Sequence, residues 1–170
     1  MTRETFLFKW FWYAAATIPV WLVEDLLFSR WSVFGVTPLI LPLAAVTVGV
    51  LEGAPGGAGF GLAVGLLWAA ALPGTHAGVI ILGSFVGLIS GLIAQYRLKQ
   101  SFIGCLFCST LSLVFLATLR LARLCLLAGY SLLPLLRIAG PELLVSLVFT
   151  IPVYLLFRLV YDRVGGTKLV

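Results

Sequence analysis

Apolar runs of about twenty residues follow one another along this chain with only short interruptions, and that pattern sets what the chain can fold into. A helix of roughly 20 apolar residues is what it takes to cross the ~30 Å hydrocarbon core of a bilayer. Of the 170 residues, 62% are hydrophobic and 10% are charged, and the mean hydropathy is +1.17. A water-soluble domain of this length needs a charged surface, and this chain has too few polar groups to cover itself. The expectation is an all-α integral membrane protein, a single domain over residues 1–170 built as a bundle of about six transmembrane helices with short loops.

The six expected spans are residues 6–28, 33–51, 57–72, 76–96, 102–130 and 141–160. Aromatic residues Trp10, Phe11, Trp12 and Tyr13 open the first, as suits a membrane interface. Arg3 and Lys9 precede its apolar run as in a signal peptide, but the run continues past Ala14, Ala15 and Ala16 without a following cleavage pattern, so it reads as a retained span. Pro38 and Pro42 lie near the start of the second. Gly53, Pro55 and Gly56 punctuate the break after it, and Pro73 and Gly74 end the third. The fifth is too long to cross upright, so its last third is expected to tilt out or lie at the interface.

The net charge is +5, but the basic residues are scattered along apolar helices, which excludes a nucleic-acid surface and makes their position more informative than their sum. Six spans put both termini on one side, with Arg3, Lys9, Arg97, Lys99, Arg158, Arg163 and Lys168. The other side holds Arg30 and Arg137, with Arg120 and Arg123 near the outer end of span five. The excess of Lys and Arg places both termini in the cytoplasm.

Two features stand out as candidate functional elements. Gly57, Gly61 and Gly65 recur every four residues on span three, and Gly83, Gly87 and Gly91 do the same on span four. Each set lines one helix face on which another backbone can approach closely, either as a groove for a partner's helix or as packing between the spans themselves. Glu24, Asp25, Arg120, Arg123 and Glu142 all fall near the outer ends of spans one, five and six. Charges near lipid are costly unless paired, so the acidic group is expected to face the arginine pair, as a clamp or as a binding site for an anionic ligand or lipid head. Glu52, at the inner end of span two, has Arg97, Lys99 or Lys9 within reach, and a surface pair there is worth only about 0–1 kcal/mol.

Catalytic and cofactor signals are weak. Cys105, Cys108 and Cys125 lie in apolar helices and read as packing residues, because a C-x-x-C with a single His in the chain, His76, is poor evidence for zinc. The glycines at 57, 59 and 61 mimic part of a dinucleotide fingerprint, but in an apolar helix and not at a strand-to-helix turn. No enzyme activity, metal or cofactor is expected.

The middle of the chain has a recognisable pattern. Residues 53–67, GAPGGAGFGLAVGLL, are followed by a small turn over Pro73, Gly74, Thr75, His76, Ala77 and Gly78, a second glycine helix, and a basic loop at Tyr96, Arg97, Leu98 and Lys99. This resembles the rod shape-determining protein MreD family, in which a glycine-rich G-F-x-x-G-L-L stretch follows a short break. The chain departs from the family where an Asp often follows the G-L-L stretch and Trp68 and Ala69 stand here. The resemblance implies a non-enzymatic scaffold of the bacterial inner membrane, part of the elongation machinery that supports cell shape and peptidoglycan synthesis. It implies association with an MreC-type bitopic protein and, indirectly, with the MreB filament and cell-wall synthases. The partner's span is then expected on a small-residue face of spans three to five. The alternative is the substrate-binding subunit of an energy-coupling-factor vitamin transporter, which shares size, helix count and glycine-rich packing and would need a pocket near the outer face.

The orientation is checked by fusing a reporter that is active only outside the cytoplasm to Val170. Cytoplasmic termini predict negligible activity, and strong activity there would invert the topology.

Overall fold

The computed structural model describes residues 3–27, 38–71, 78–98, 101–128 and 132–164. Among these residues there are six α-helices and no strands: α1 Arg3–Leu22, α2 Leu41–Glu52, α3 Ala54–Ala71, α4 Gly78–Ile93, α5 Phe102–Ala128 and α6 Leu132–Val164. A π-helical turn continues α1 over Val23–Leu27 and another continues α4 over Ala94–Leu98. Three of the helices are long and apolar enough to cross a membrane, over Gly78–Tyr96, Phe102–Leu126 and Ala139–Val164.

The second span departs most from expectation. In place of residues 33–51, the helix begins at Leu41 with Pro42 in its first turn and ends at Glu52, while residues 38–40 are not helical. Residues 28–37 lie outside the described residues. Pro is preorganised for a first helical turn, where its missing N–H is not needed, and Gly53 ends the helix with φ 84°, a conformation that glycine adopts without strain. The twelve residues rise only about 18 Å, less than a hydrocarbon thickness; of the six helices expected as spans, three are long and apolar enough to cross a membrane among the described residues. All twelve residues of α2 are buried, so this short helix is the centre of the bundle and not part of its wall.

Gly53 joins α2 to α3 without a loop. Its N–H donates to the Gly49 carbonyl at 2.9 Å, closing α2, and its own carbonyl accepts from Gly57 N at 2.8 Å, opening α3. The chain folds back there: a methyl group on Gly57 would lie 2.6 Å from the Gly49 Cα. Helix α4 then lies antiparallel on α3, with Gly57 against Gly87, Gly61 against Gly83 and Gly65 against Ile80. Gly91 meets Gly53 and Ala54. A Cβ on Gly87 would stand 2.0 Å from the Gly57 carbonyl oxygen, and one on Gly49 would stand 2.5 Å from the Gly87 oxygen. Three helix backbones therefore meet at Gly49, Gly57 and Gly87, with Cα hydrogens directed at carbonyl oxygens in the manner of weak Cα–H···O contacts.

The remaining helices surround this unit. Tyr13, Ala16 and Val20 of α1, Phe60 and Val64 of α3, Leu113 and Leu116 of α5 and Val153, Tyr154 and Phe157 of α6 bury themselves around α2. The outer surface is apolar, with Leu144, Val148, Ile151, Leu155 and Leu159 exposed along α6 and Leu7, Phe11, Ile18 and Leu22 along α1. Such stripes are stable against lipid and not against water. Helix α5 is one continuous element of 27 residues. Helix α6 begins at Leu132, not at residue 141, and carries Arg137 and, internally, Pro141 and Pro152. At about 1.5 Å per residue both exceed the hydrocarbon thickness. The turn at Pro73 and Gly74 and the side chain of His76 lie outside the described residues.

The glycine contacts predict a sharp contrast. Gly87→Ala drives a methyl into the Gly57 carbonyl and costs about 1–3 kcal/mol or more. Gly59→Ala meets nothing within 4 Å and stabilises α3 by about 0.5–1 kcal/mol. Thermal unfolding of the detergent-purified variants checks both signs.

Candidate functional site

The glycine ladders are engaged with each other. Gly57 and Gly61 face Gly87 and Gly83, Gly65 faces Ile80, and Gly91 faces the α2–α3 junction. These faces are filled from within the chain, so of the two readings of the glycine spacing it is packing between the spans that the structure holds. The physical reason is distance: with α2, α3 and α4 already in backbone contact at these glycines, no further helix can approach them.

The outer charged residues separate into two arrangements. Glu24, in the π-helical turn after α1, accepts the backbone N–H of Leu41 through Oε2. It acts as a cap supplied from another helix to the first turn of α2, where unpaired N–H groups and the helix dipole both favour a carboxylate. Asp25 beside it is exposed. Arg120 of α5 donates from one guanidinium nitrogen to Glu142 Oε1 of α6 at 2.7 Å. Glu142 is thus the acidic partner of Arg120, and Glu24 serves the backbone of α2 instead. Arg123, one turn further along α5, is exposed and has no ion pair among the described residues.

Ser146 ties the segment before α2 to the helix that carries Glu142. Ser146 Oγ donates to the Glu142 carbonyl at 2.7 Å and accepts from Leu39 N at 2.9 Å. A side chain of α6 therefore satisfies the Leu39 backbone N–H in the non-helical segment before α2, as a chain segment buried among helices requires. Leu39, Ala117, Arg120, Leu121, Leu124, Ala139, Glu142, Leu143 and Ser146 line a cavity of about 110 Å³ beside the ion pair.

The second polar site was undervalued in the sequence. Lys9 of α1 forms an ion pair with Glu52 Oε2 at the end of α2, and Tyr13 Oη donates to Glu52 Oε1 at 2.7 Å. The two charged side chains are only 6% and 3% exposed, so the expected surface pair of small value is corrected to a buried one. Gly56 makes room for it, since a Cβ there would stand 2.8 Å from the Glu52 Cβ. Aromatic rings wall it off. Tyr13 stacks on Phe157 with centroids 6.2 Å apart and meets Phe60 edge-on at 6.1 Å, and Trp10 lies over Phe60 at 6.3 Å. The available signal was the spacing of Lys9 and Tyr13, four residues apart on one helix face, opposite the chain's one acid between spans two and three. What the pattern did not contain was the fold-back at Gly53 that carries Glu52 inward.

Cys105 is buried with its sulfur 3.7 Å from Thr47 Oγ1 of α2, and Cys108 lies 3.9 Å from the Ser90 carbonyl of α4. Both act as small packing residues where α5 crosses its neighbours. No group of three or more His, Cys, Asp or Glu side chains able to hold a metal occurs among the described residues. A second recess, of about 210 Å³, opens between α4 and α5 and is lined by Phe85, Val86, Ile89, Ser90, Ile93, Cys108, Leu111, Ser112 and Phe115.

Removing one member of a buried ion pair leaves an uncompensated charge and costs about 3–5 kcal/mol, whereas an apolar replacement of both is close to neutral. Glu52→Leu and Lys9→Met are each expected to lower the unfolding temperature, and the double variant to recover most of the loss. A double variant no better than Glu52→Leu alone would show that the pair does not hold α1 on α2.

Comparison with known proteins finds no matching family model, and neither a curated protein nor a solved structure is similar to the chain.

Proposed function

We propose that the protein is a non-enzymatic scaffold of the bacterial cytoplasmic membrane, of the MreD type, that binds the single span of an MreC-type bitopic protein and through it serves the MreB filament and the cell-wall synthases. The residue pattern over 53–78 and 96–99 suggests the family. The observation that carries the functional class is how the polar groups are used. Glu24 caps a helix, Lys9 and Tyr13 bind Glu52, and Arg120 binds Glu142. These polar side chains thus serve one another and the backbone.

Among the described residues, the sizes of these two cavities support a scaffold over a transporter subunit. At about 110 Å³ and about 210 Å³, both fall below the roughly 300–1,000 Å³ of small-molecule sites. The larger one is an apolar recess between α4 and α5 whose rim carries Phe85, Leu111 and Phe115. Its size suits an apolar side chain projecting from a partner's helix, and its position agrees with docking on spans four and five now that the glycine faces are filled. The vitamin-transporter reading has one point in its favour, the charged cavity at Arg120 and Glu142 near the outer end.

A pull-down of the tagged protein from its native membrane in mild detergent, read by mass spectrometry, tests the proposal. The expected partners are an MreC-type protein and cell-wall synthases. Ile89→Trp, which fills the α4–α5 recess, is expected to reduce that recovery while the unfolding temperature is kept. Recovery of ATPase subunits with a coupling membrane protein would overturn the scaffold reading.

A further inference from the structure

The outer half of the α5–α6 pair carries more positive charge than it uses. Arg120, Arg123 and Arg137 are set against one carboxylate, Glu142, among the described residues of these two helices before their inner ends. Arg120 donates one hydrogen bond to Glu142 at 2.7 Å, and its side chain is still 59% exposed. A guanidinium has five N–H donors in a planar fork, so the bond to Glu142 orients it while leaving donors turned outward. Arg123 lies three residues on, on the same helix face, and is exposed, as is Arg137 on α6.

Depth gives this cluster its meaning. Helix α5 begins at Phe102, and Arg120 and Arg123 follow it by 18 and 21 residues, which is about 27 Å and about 32 Å along the axis. That is one hydrocarbon thickness from the other end of the helix, at the level where lipid phosphates lie. Directly beside Arg120 is the cavity of about 110 Å³, whose wall is largely apolar, with Leu121 and Leu124 of α5, Leu143 and Ala139 of α6 and Leu39 before α2. A soluble anion has no use for that apolar wall. A lipid has both parts, a phosphate for the arginines and an acyl chain for the recess.

We propose that the outer ends of α5 and α6 form a binding site for an anionic phospholipid, its phosphate held by Arg120 and Arg123 and the first part of an acyl chain seated in the cavity between Leu121, Leu143 and Leu39. Glu142 is a positioning residue that fixes the Arg120 guanidinium. Ser146, through its bonds to the Glu142 carbonyl and Leu39 N, holds the cavity wall against α6. The site is independent of which protein partner the chain has.

Native mass spectrometry of the purified full chain, loaded from an equimolar mixture of phosphatidylglycerol and phosphatidylcholine, tests it. The expected result is selective retention of phosphatidylglycerol. Each arginine removed, in Arg123→Gln or Arg120→Gln, is expected to lower that retention about fivefold. Ala117→Leu, which fills the cavity without touching charge, is expected to lower it as well. Arg123 makes no ion pair among the described residues, so Arg123→Gln is expected to keep the unfolding temperature, which separates lost binding from lost folding. Equal retention of the two lipids, or unchanged retention in the Arg120→Gln, Arg123→Gln double variant, would overturn the site. Displacement of the lipid by millimolar inorganic phosphate, with Ala117→Leu behaving as wild type, would overturn the lipid as occupant in favour of a soluble anion.

Discussion

Gly49, Gly57 and Gly87 are the point on which the rest of the fold depends. Helices in lipid gain little from hiding apolar surface, because the surroundings are equally apolar, and they associate instead through close packing and backbone contacts. Where a Cβ would stand 2.0 to 2.6 Å from a neighbouring backbone atom, only glycine lets three helices meet. That contact allows α2 to be short, buried on every side and folded back on α3 at a single residue. The outer helices then have a defined core to pack on, and their own outward faces are left to the membrane.

A short helix inside such a bundle brings its ends inside with it, and the ends are polar. At one end, Glu24 receives the Leu41 N–H and Ser146 receives the Leu39 N–H. At the other, Glu52 is closed over by Lys9, Tyr13 and an aromatic wall. These groups share one cause: backbone and carboxylate atoms removed from water must find partners within the protein. Much of the polar inventory of the chain is therefore structural, and this is why the proposed function is a surface function and not a chemical one.

The surfaces that remain are of two kinds. An apolar recess lies between α4 and α5, where helix packing is loose enough to admit a side chain from another helix. A basic edge, with Arg120 and Arg123 exposed on α5 and Arg137 on α6, is where the phospholipid site is proposed. The first suits a protein partner within the bilayer, the second the bilayer itself. Both are properties of helix ends and gaps, and neither requires the buried core to move.

The sequence by itself determined that this chain is helical and apolar enough for a membrane, because hydropathy and run length act residue by residue and need no knowledge of neighbours. It also placed the break at Gly53, where backbone chemistry is local, and marked the four-residue glycine spacing as a site of close approach. The structure paired Arg120 with Glu142 and assigned Glu24 to a helix cap, although all three were already visible as one outer group. What only the tertiary structure decided was where α2 lies, which faces the glycines meet and whether Glu52 is wet or dry. Each of these depends on the fold-back at Gly53, which brings together residues such as Lys9 and Glu52 that are 43 positions apart. Periodicity along a chain reports which face of a helix is special, but it carries no information about what that face will touch.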